Sequence, residues 1–182
     1  MTRYDSLVGD GDCGTGLKRG AEALLRLLSD KPPGPDLLSN FQSLVHVVEN
    51  TMDGTSGALY AIFLNALLHE LRAQDSSSTQ DVTPQIWAKA LKSSVEGLGR
   101  YTPAKEGDRT LMDALIPFVE TLGKTDDVKA AAEAASKGSA RTKGMKASLG
   151  RSVYVGGETW QDTPDPGAHG LSEFLQGLAE GM

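Results

Sequence analysis

The sequence has a single cysteine and few aromatic residues. Cys13 is the only cysteine among 182 residues, which excludes an internal disulfide. Phenylalanine, tryptophan and tyrosine together make up 5% of the chain, a composition that suits helix packing better than a β-sandwich. Neither an apolar N-terminal signal segment nor an apolar run long enough to span a membrane is found. We therefore expect a cytoplasmic protein without a membrane partner.

Positive charge is also scarce. The chain carries 18 lysines and arginines against 24 aspartates and glutamates, a net charge of −6. Nucleic acid is therefore an unfavourable partner, because phosphate neutralisation needs a basic surface. An anionic ligand would have to bring its own cations. With 39% hydrophobic residues, the length fits one globular domain with a sizeable core.

Apolar residues recur at helical spacing along most of the chain. The pattern predicts helices over residues 17–28, 37–48, 59–71, 86–98, 111–122, 128–140 and 171–178. Pro117 is predicted to bend the fifth of these. The only strand-like segment is residues 153–155. These features predict an all-α bundle of successive antiparallel helices.

The most distinctive stretch is residues 5–15, which precedes the first predicted helix. It places Asp5, Asp10 and Asp12 among Gly9, Gly11 and Gly14. Short carboxylate side chains beside glycines can converge without clashing, and their mutual repulsion is relieved by a bound cation. The stretch therefore predicts a site for a hard cation such as Mg²⁺ or Ca²⁺.

Other interpretations of this stretch fit less well. The glycines match the dinucleotide-binding fingerprint, but no apolar strand precedes them and Asp10 and Asp12 would repel a pyrophosphate. The ligand spacing of an EF-hand is broken, and no Gly-Lys-Ser/Thr follows as in a P-loop. The remaining alternative is a solvated acidic turn that caps the next helix.

Three loops share an unusual composition. Residues 9–15, 54–57 and 107–110 each combine glycine and a hydroxyl side chain just before a predicted helix. In an up-and-down bundle these loops fall at the same end, and helix N-termini offer unpaired N–H groups to anions. They predict a pocket for a metal–phosphate group. The alternative is that Thr15, Thr55 or Ser56, and Asp108 are ordinary N-caps.

The motifs, taken together, resemble a known family. Six motifs carry the resemblance. In chain order they are the acidic stretch from Asp5, Gly54-Thr-Ser-Gly-Ala, Gly107-Asp-Arg-Thr-Leu-Met-Asp113 and the segments starting at Gly138, Gly150 and Asp165. They are similar to motifs, in the same order, of the nucleotide-binding domain of dihydroxyacetone kinases. The resemblance extends over essentially the whole chain. It implies a barrel of eight antiparallel helices that binds ATP or ADP at one rim through two Mg²⁺ ions.

The resemblance also implies roles for individual residues. Asp5, Asp10 and Asp12 would hold the two metal ions. The nucleotide would be lined by Cys13, Gly14, Thr15, Gly16, Thr55, Ser56, Gly57, Thr102, Thr110, Leu111, Asp165, Pro166 and Gly167. Arg109 would offset the charge that develops during phosphoryl transfer, its alternative role being an ion pair with Asp113.

The implied activity is transfer of the ATP γ-phosphoryl group to dihydroxyacetone or glyceraldehyde held by a separate, histidine-bearing substrate domain. We expect the chain to be inactive without that domain, and the full-length form to be a homodimer. Residues 1–182 would form a single domain whose first family helix is missing, because only four residues precede Asp5. His46 and His69 are expected to be packing or surface residues, whereas His169 lies near the rim.

Three alternatives to this kinase assignment stay open. A phosphorelay subunit would hold ADP as a fixed cofactor and take its phosphate from another protein. Some members of the family cyclise FAD to cyclic FMN on the same metal site. A non-catalytic metal-binding module is the third alternative.

Overall fold

The computed structural model describes residues 1–75, 83–154 and 159–182. In these ranges the regular structure is entirely helical, which confirms the predicted all-α class. The α-helices are α1 (Thr2–Val8), α2 (Cys13–Asp30), α3 (Leu37–Thr51), α4 (Gly54–Asp75), α5 (Pro84–Leu98), α6 (Met112–Thr125), α7 (Val128–Arg141) and α8 (Pro166–Glu180). Short 3₁₀ segments occupy Arg151–Tyr154 and Thr159–Gln161.

Most predicted helices are present, and the exceptions have local causes. The helix α1 was not predicted, because its seven residues contain too few apolar positions to show a period. The prediction of a strand-like segment was wrong for Val153 and Tyr154, which form part of a 3₁₀ turn. Val155 lies outside the described residues. The helix α6 continues through Pro117, and the bend expected there stays a prediction.

The described residues form two compact units. The first unit contains Met1–Gly14 and Thr102–Met182, and the second contains Thr15–Tyr101. In the first unit α7 packs against both α6 and α8, and α1 contacts α8. In the second unit α4 packs against α3 and α5. The single-domain organisation and the missing first helix stay predictions.

Small residues bring α6 and α7 of the first unit close together. Ala131, Ala132 and Ala135 of α7 are completely buried. A Cβ atom on Gly138 would overlap the carbonyl oxygen of Asp113 in α6. That carbonyl lies four residues before Pro117, whose ring nitrogen has no hydrogen to donate to it. The backbone of α7 therefore approaches α6 at the point where the proline removes a helical hydrogen bond.

The second unit has an aliphatic core of its own. Val45 and Val48 of α3 and Leu67 and Leu71 of α4 are almost fully buried. In contrast, the apolar face predicted for α2 is largely uncovered, and Leu25 is 65% exposed. No helix in the described part of the chain is long and apolar enough to cross a membrane.

The start of α7 provides a test of the helix-capping argument. The side chain of Asp127 accepts hydrogen bonds from the backbone N–H groups of Lys129 and Ala130, at 2.8 and 3.1 Å. Asp127→Ala removes this acceptor and is expected to lower the free energy of unfolding by about 1 kcal/mol. Asp127→Asn, which keeps an acceptor oxygen, should cost much less. Urea denaturation of the three proteins measures the difference, and equal stabilities would contradict the assignment of the cap.

Candidate metal and nucleotide site

The three predicted metal ligands lie together in the first unit. Asp5 belongs to α1, and Asp10 and Asp12 belong to the loop between α1 and α2. One carboxylate oxygen from each can be chosen so that all three atoms lie within 4.8 Å of one another. Because Mg²⁺ and Ca²⁺ bind oxygen at roughly 2.0 to 2.6 Å, ligands on one ion are separated by at most about twice that distance. The cluster therefore fits a hard divalent cation.

The backbone around Asp5 holds its carboxylate in place. Asp5 is 5% exposed, and its Oδ2 atom accepts a hydrogen bond of 2.8 Å from the N–H of Cys13, the first residue of α2. A Cβ atom on Gly9 would overlap the Oδ1 atom of Asp5, so the chain can pass this carboxylate only with a glycine. Asp10 and Asp12 are exposed. The cluster thus has one fixed carboxylate and two that face solvent.

The loop before α6 is shaped by Asp113, which the sequence suggested only as an ion-pair partner of Arg109. The side chain of Asp113 accepts hydrogen bonds from the N–H groups of Gly107 (2.7 Å) and Thr110 (2.8 Å). Asp113 is 1% exposed. The spacing Thr110-x-x-Asp113 is a capping-box pattern that could have revealed this role.

Arg109 is buried in the first unit with an exposure of 1%. Its Nη2 atom donates to the carbonyl of Thr163 at 2.8 Å, and its Nε atom donates to the carbonyl of Thr142 at 3.3 Å. Its Nη1 atom has no hydrogen-bond partner among the described residues. Burial lowers the pKa of Arg109, and the charge of Asp165 opposes that shift.

The alternative role of Arg109 as an ion-pair partner of Asp113 was wrong. The carboxylate of Asp113 binds backbone N–H groups, and the guanidinium of Arg109 binds backbone carbonyls. Both side chains therefore serve to fix loops. The catalytic role of Arg109 stays a prediction.

Asp165 caps α8 from a buried position. Its Oδ2 atom accepts a hydrogen bond of 2.8 Å from the N–H of Ala168, and its own N–H donates to the hydroxyl of Thr142 at 2.8 Å. Burial raises the pKa of Asp165 to about 6, although the hydrogen bond from Ala168 and the charge of Arg109 act in the opposite direction. The negative charge of Asp113 adds to the rise.

The other predicted nucleotide contacts of the first unit lie in or beside these loops. The hydroxyl of Thr102 accepts from the N–H of Ala104 at 3.2 Å, and that of Thr110 accepts from the N–H of Met112 at 3.2 Å. Leu111 and Pro166 are buried, and Gly167 is half-buried. Cys13 and Gly14, also half-buried, form the start of α2.

In the second unit, the predicted contacts lie in the first turns of α2 and α4. Thr15 and Gly16 belong to α2, and Thr55, Ser56 and Gly57 belong to α4. A Cβ atom on Gly16 would lie 3.9 Å from a carboxylate oxygen of Asp53, the residue before α4. The side chain of Arg19 also pairs with Asp53. The two helix starts are therefore neighbours within this unit.

The alternative that these hydroxyl residues are N-caps was wrong. The helices α2 and α4 begin at Cys13 and Gly54, so Thr15, Thr55 and Ser56 lie inside their first turns. Asp108 closes a turn by accepting from the N–H of Lys105 at 2.9 Å, whereas α6 begins at Met112. That the three loops share one rim stays a prediction.

The histidines differ in exposure, and that His169 lies near the rim stays a prediction. His46 and His69 are exposed. His169 is half-buried on α8, and its ring packs edge-on against that of Tyr4 in α1, with a centroid distance of 5.1 Å. Burial lowers the pKa of His169.

Comparison with known proteins identifies the family. A family model described as the DAK2 domain matches residues 7–180. The chain belongs to the DAK2 domain family. The matched range contains the helices α2 to α8 and the last two residues of α1.

Relatives of this DAK2 domain include larger proteins. The dihydroxyacetone kinase of Pichia angusta is 43% identical over 189 residues, which cover 99% of this chain and 31% of the relative. The triokinase/FMN cyclase of Homo sapiens is 32% identical over 191 residues, which cover 99% of this chain and 31% of that protein. The chain therefore spans about a third of the length of these relatives.

A solved structure has a similar fold. It is the dihydroxyacetone kinase of C. freundii in complex with AMP-PNP and Mg²⁺. The TM-score is 0.73 at 27% sequence identity, and the match covers 100% of this chain and 30% of the other.

Proposed function

We propose that this DAK2 domain is the ATP–Mg-binding part of a triose kinase. In this function the γ-phosphoryl group of ATP is transferred to dihydroxyacetone or glyceraldehyde held by a separate substrate domain. The observation that carries the proposal is the convergence of Asp5, Asp10 and Asp12 within 4.8 Å beside the start of α2. The relative from C. freundii was solved with AMP-PNP and Mg²⁺, which supports this choice of ligand.

Phosphoryl transfer requires positioning and charge neutralisation more than covalent chemistry from the protein. Asp5, Asp10 and Asp12 would hold two Mg²⁺ ions, and bound Mg²⁺ neutralises negative charge on phosphate oxygens. Asp5 suits an anchoring role, because it is buried and fixed by the N–H of Cys13. Asp10 and Asp12 are exposed and can reach ions that arrive with the nucleotide.

The first turns of α2 and α4 carry the predicted nucleotide contacts of the second unit. Their backbone N–H groups lie at the positive end of a helix dipole, which favours phosphate. Thr15 and Thr55 are exposed there and Ser56 is half-buried. These side chains lie inside the first turns of their helices, beside the backbone N–H groups that we assign to phosphate.

In the first unit, we assign Thr110 and the Asp165–Gly167 turn to nucleotide binding. Asp113 fixes the backbone beside Thr110, and Asp165 fixes the start of α8. This arrangement gives two rigid loops whose conformation is set by buried carboxylates. Preformed loops lower the entropy cost of binding.

The proposal predicts that Ser56→Ala weakens ATP binding without a matching loss of stability. Removal of one hydrogen bond to a charged phosphate is expected to raise the Kd for ATP with Mg²⁺ by roughly tenfold. Thr110→Ala should also weaken binding, but it loses the hydrogen bond from Met112 as well and should be less stable. Isothermal titration calorimetry and thermal melts separate the two effects.

Ser43→Ala is the matched control, because Ser43 is half-buried, as Ser56 is, and its hydroxyl donates locally to the carbonyl of Ser39 in α3. Its Kd should equal that of the wild type. Absence of Mg-dependent ATP binding by the wild type would overturn the proposed function. Unchanged affinity in Ser56→Ala would remove Ser56 from the site but leave the function standing.

FMN cyclase activity is a second candidate function. The specific observation in its favour is the human relative, which is a triokinase/FMN cyclase by name. The same carboxylate cluster would serve both activities. Incubation with FAD and Mn²⁺ should then release cyclic FMN and AMP, and intact FAD after prolonged incubation would exclude this activity.

A further inference from the structure

Thr142 follows the last residue of α7 and is completely buried, with an exposure of 0%. Its backbone N–H donates to the carbonyl of Ser139, and its carbonyl accepts from the N–H of Met145. Three further hydrogen bonds lie within the first unit. Its hydroxyl donates to the carbonyl of Ser139 at 2.6 Å and accepts from the N–H of Asp165 at 2.8 Å. Its carbonyl accepts from the Nε atom of Arg109 at 3.3 Å.

These contacts connect two segments that carry proposed nucleotide contacts. Arg109 lies in the loop that ends at Thr110, and Asp165 begins the turn that ends at Gly167. Arg109 also donates to the carbonyl of Thr163 at 2.8 Å. Thr142 is thus bonded to both segments, and Arg109 makes a second connection to Thr163, two residues before Asp165.

We propose that Thr142 is a positioning residue for nucleotide binding, whose hydroxyl holds the Asp165–Gly167 turn in register with the loop that contains Arg109 and Thr110. This inference rests on the proposed function. Thr142 acts through its neighbours, since a side chain with no exposed surface does not touch the ligand. Its role differs from those of the residues already assigned to the site.

The chemistry of the position requires a hydroxyl group. Only a group that donates and accepts at once can bind the Ser139 carbonyl and the Asp165 N–H from the same atom. A valine has almost the same shape but leaves the buried Asp165 N–H without a partner, which is costly in a buried position. The turn would then shift to find another acceptor. A serine keeps both hydrogen bonds.

The test compares Thr142→Val and Thr142→Ser with the wild type. We expect Thr142→Val to raise the Kd for ATP with Mg²⁺ by about tenfold, the equivalent of one hydrogen bond, and Thr142→Ser to restore wild-type affinity. Ser94→Ala is the control, because Ser94 has 0% exposure and its hydroxyl donates only within α5, to the carbonyl of Ala90 at 2.7 Å. It should lower the melting temperature but leave the Kd unchanged.

Wild-type affinity in folded Thr142→Val would overturn the proposal, and so would an equal loss of affinity in Ser94→Ala. If Thr142→Val does not fold, Thr142→Ala takes its place, with the same expected loss of affinity and the same outcome overturning the proposal. Amide hydrogen exchange without nucleotide gives a readout that does not depend on ATP. Exchange at Asp165 should be faster in the variant than in the wild type, and unchanged exchange would overturn the proposal. If the wild type binds no ATP, the proposed function fails, and this exchange measurement alone decides the role of Thr142.

Discussion

Asp12→Asn is expected to remove most of the stabilisation that Mg²⁺ gives, while the metal-free variant is as stable as the wild type or more so. The physical reason is the charge density of the cluster. Three carboxylates offer oxygens within 4.8 Å of one another. At about 4 Å, two like charges repel by roughly 1 kcal/mol in bulk water and roughly 4 kcal/mol near a protein surface. Substitution of Asp12 relieves repulsion and also removes a ligand.

Thermal melts with and without Mg²⁺ measure both effects. A ligand that binds the folded state alone stabilises it by mass action, so Mg²⁺ should raise the melting temperature of the wild type and ATP with Mg²⁺ should raise it further. Asp12→Asn should show little of either increase. No variant outside the cluster is expected to combine wild-type or higher stability without metal with a loss of the response to Mg²⁺.

Asp30→Asn is the matched control for loss of one negative charge. Asp30 is exposed and ends α2, roughly 26 Å along the helix from its first residue. It should respond to Mg²⁺ as the wild type does. An equal response of wild type and Asp12→Asn would contradict the metal interpretation. In that case the loop is a solvated acidic turn, and the substitution costs only the helix-dipole effect of a few tenths to about 1 kcal/mol.

The helices were predictable because long amphipathic segments carry a repeated signal. The pattern of α3, α5 and α7 is visible over fourteen or fifteen residues each. The seven residues of α1 carry no such signal, and this helix is held by packing against α8. Periodicity predicted the helix α2 correctly but not its burial, because Leu25 on its apolar face is exposed.

The acidic cluster was predictable because its three aspartates lie within eight residues. The roles of Arg109 and Thr142 were not, because the partners of Arg109 are 33 and 54 residues away in sequence. Polar residues that bind distant backbone groups leave no local pattern. The burial of a polar residue also leaves no local pattern in the sequence. Burial distinguishes Asp165 from the exposed aspartates Asp10 and Asp12.

Asp165→Asn is expected to stabilise the protein above about pH 6 and to make no difference below about pH 4. Burial raises the pKa of Asp165 from the ordinary 3.8 to about 6. Between these values the folded state holds a proton that the unfolded state has released. The stability contributed by this carboxyl is therefore complete below pH 4 and is lost as the pH rises through 6.

The cost of ionising Asp165 in the folded protein is on the order of 3 kcal/mol at neutral pH, since one pKa unit corresponds to about 1.4 kcal/mol. An asparagine has no charge to bury, and its side-chain oxygen can still accept from the N–H of Ala168, so the cap on α8 is kept. This figure already includes the attraction between the Asp165 carboxylate and Arg109, which lowers the pKa of Asp165.

Urea denaturation of wild type and variant at pH values from 4 to 8 measures the difference. Asp127→Asn is the control, because Asp127 also caps a helix but is exposed, and its difference from the wild type should be nearly independent of pH. If Asp165→Asn is instead less stable than the wild type at pH 8, attraction to Arg109 outweighs the cost of burial. The turn that begins at Asp165 is then held by an ion pair at neutral pH, and protonation should loosen it.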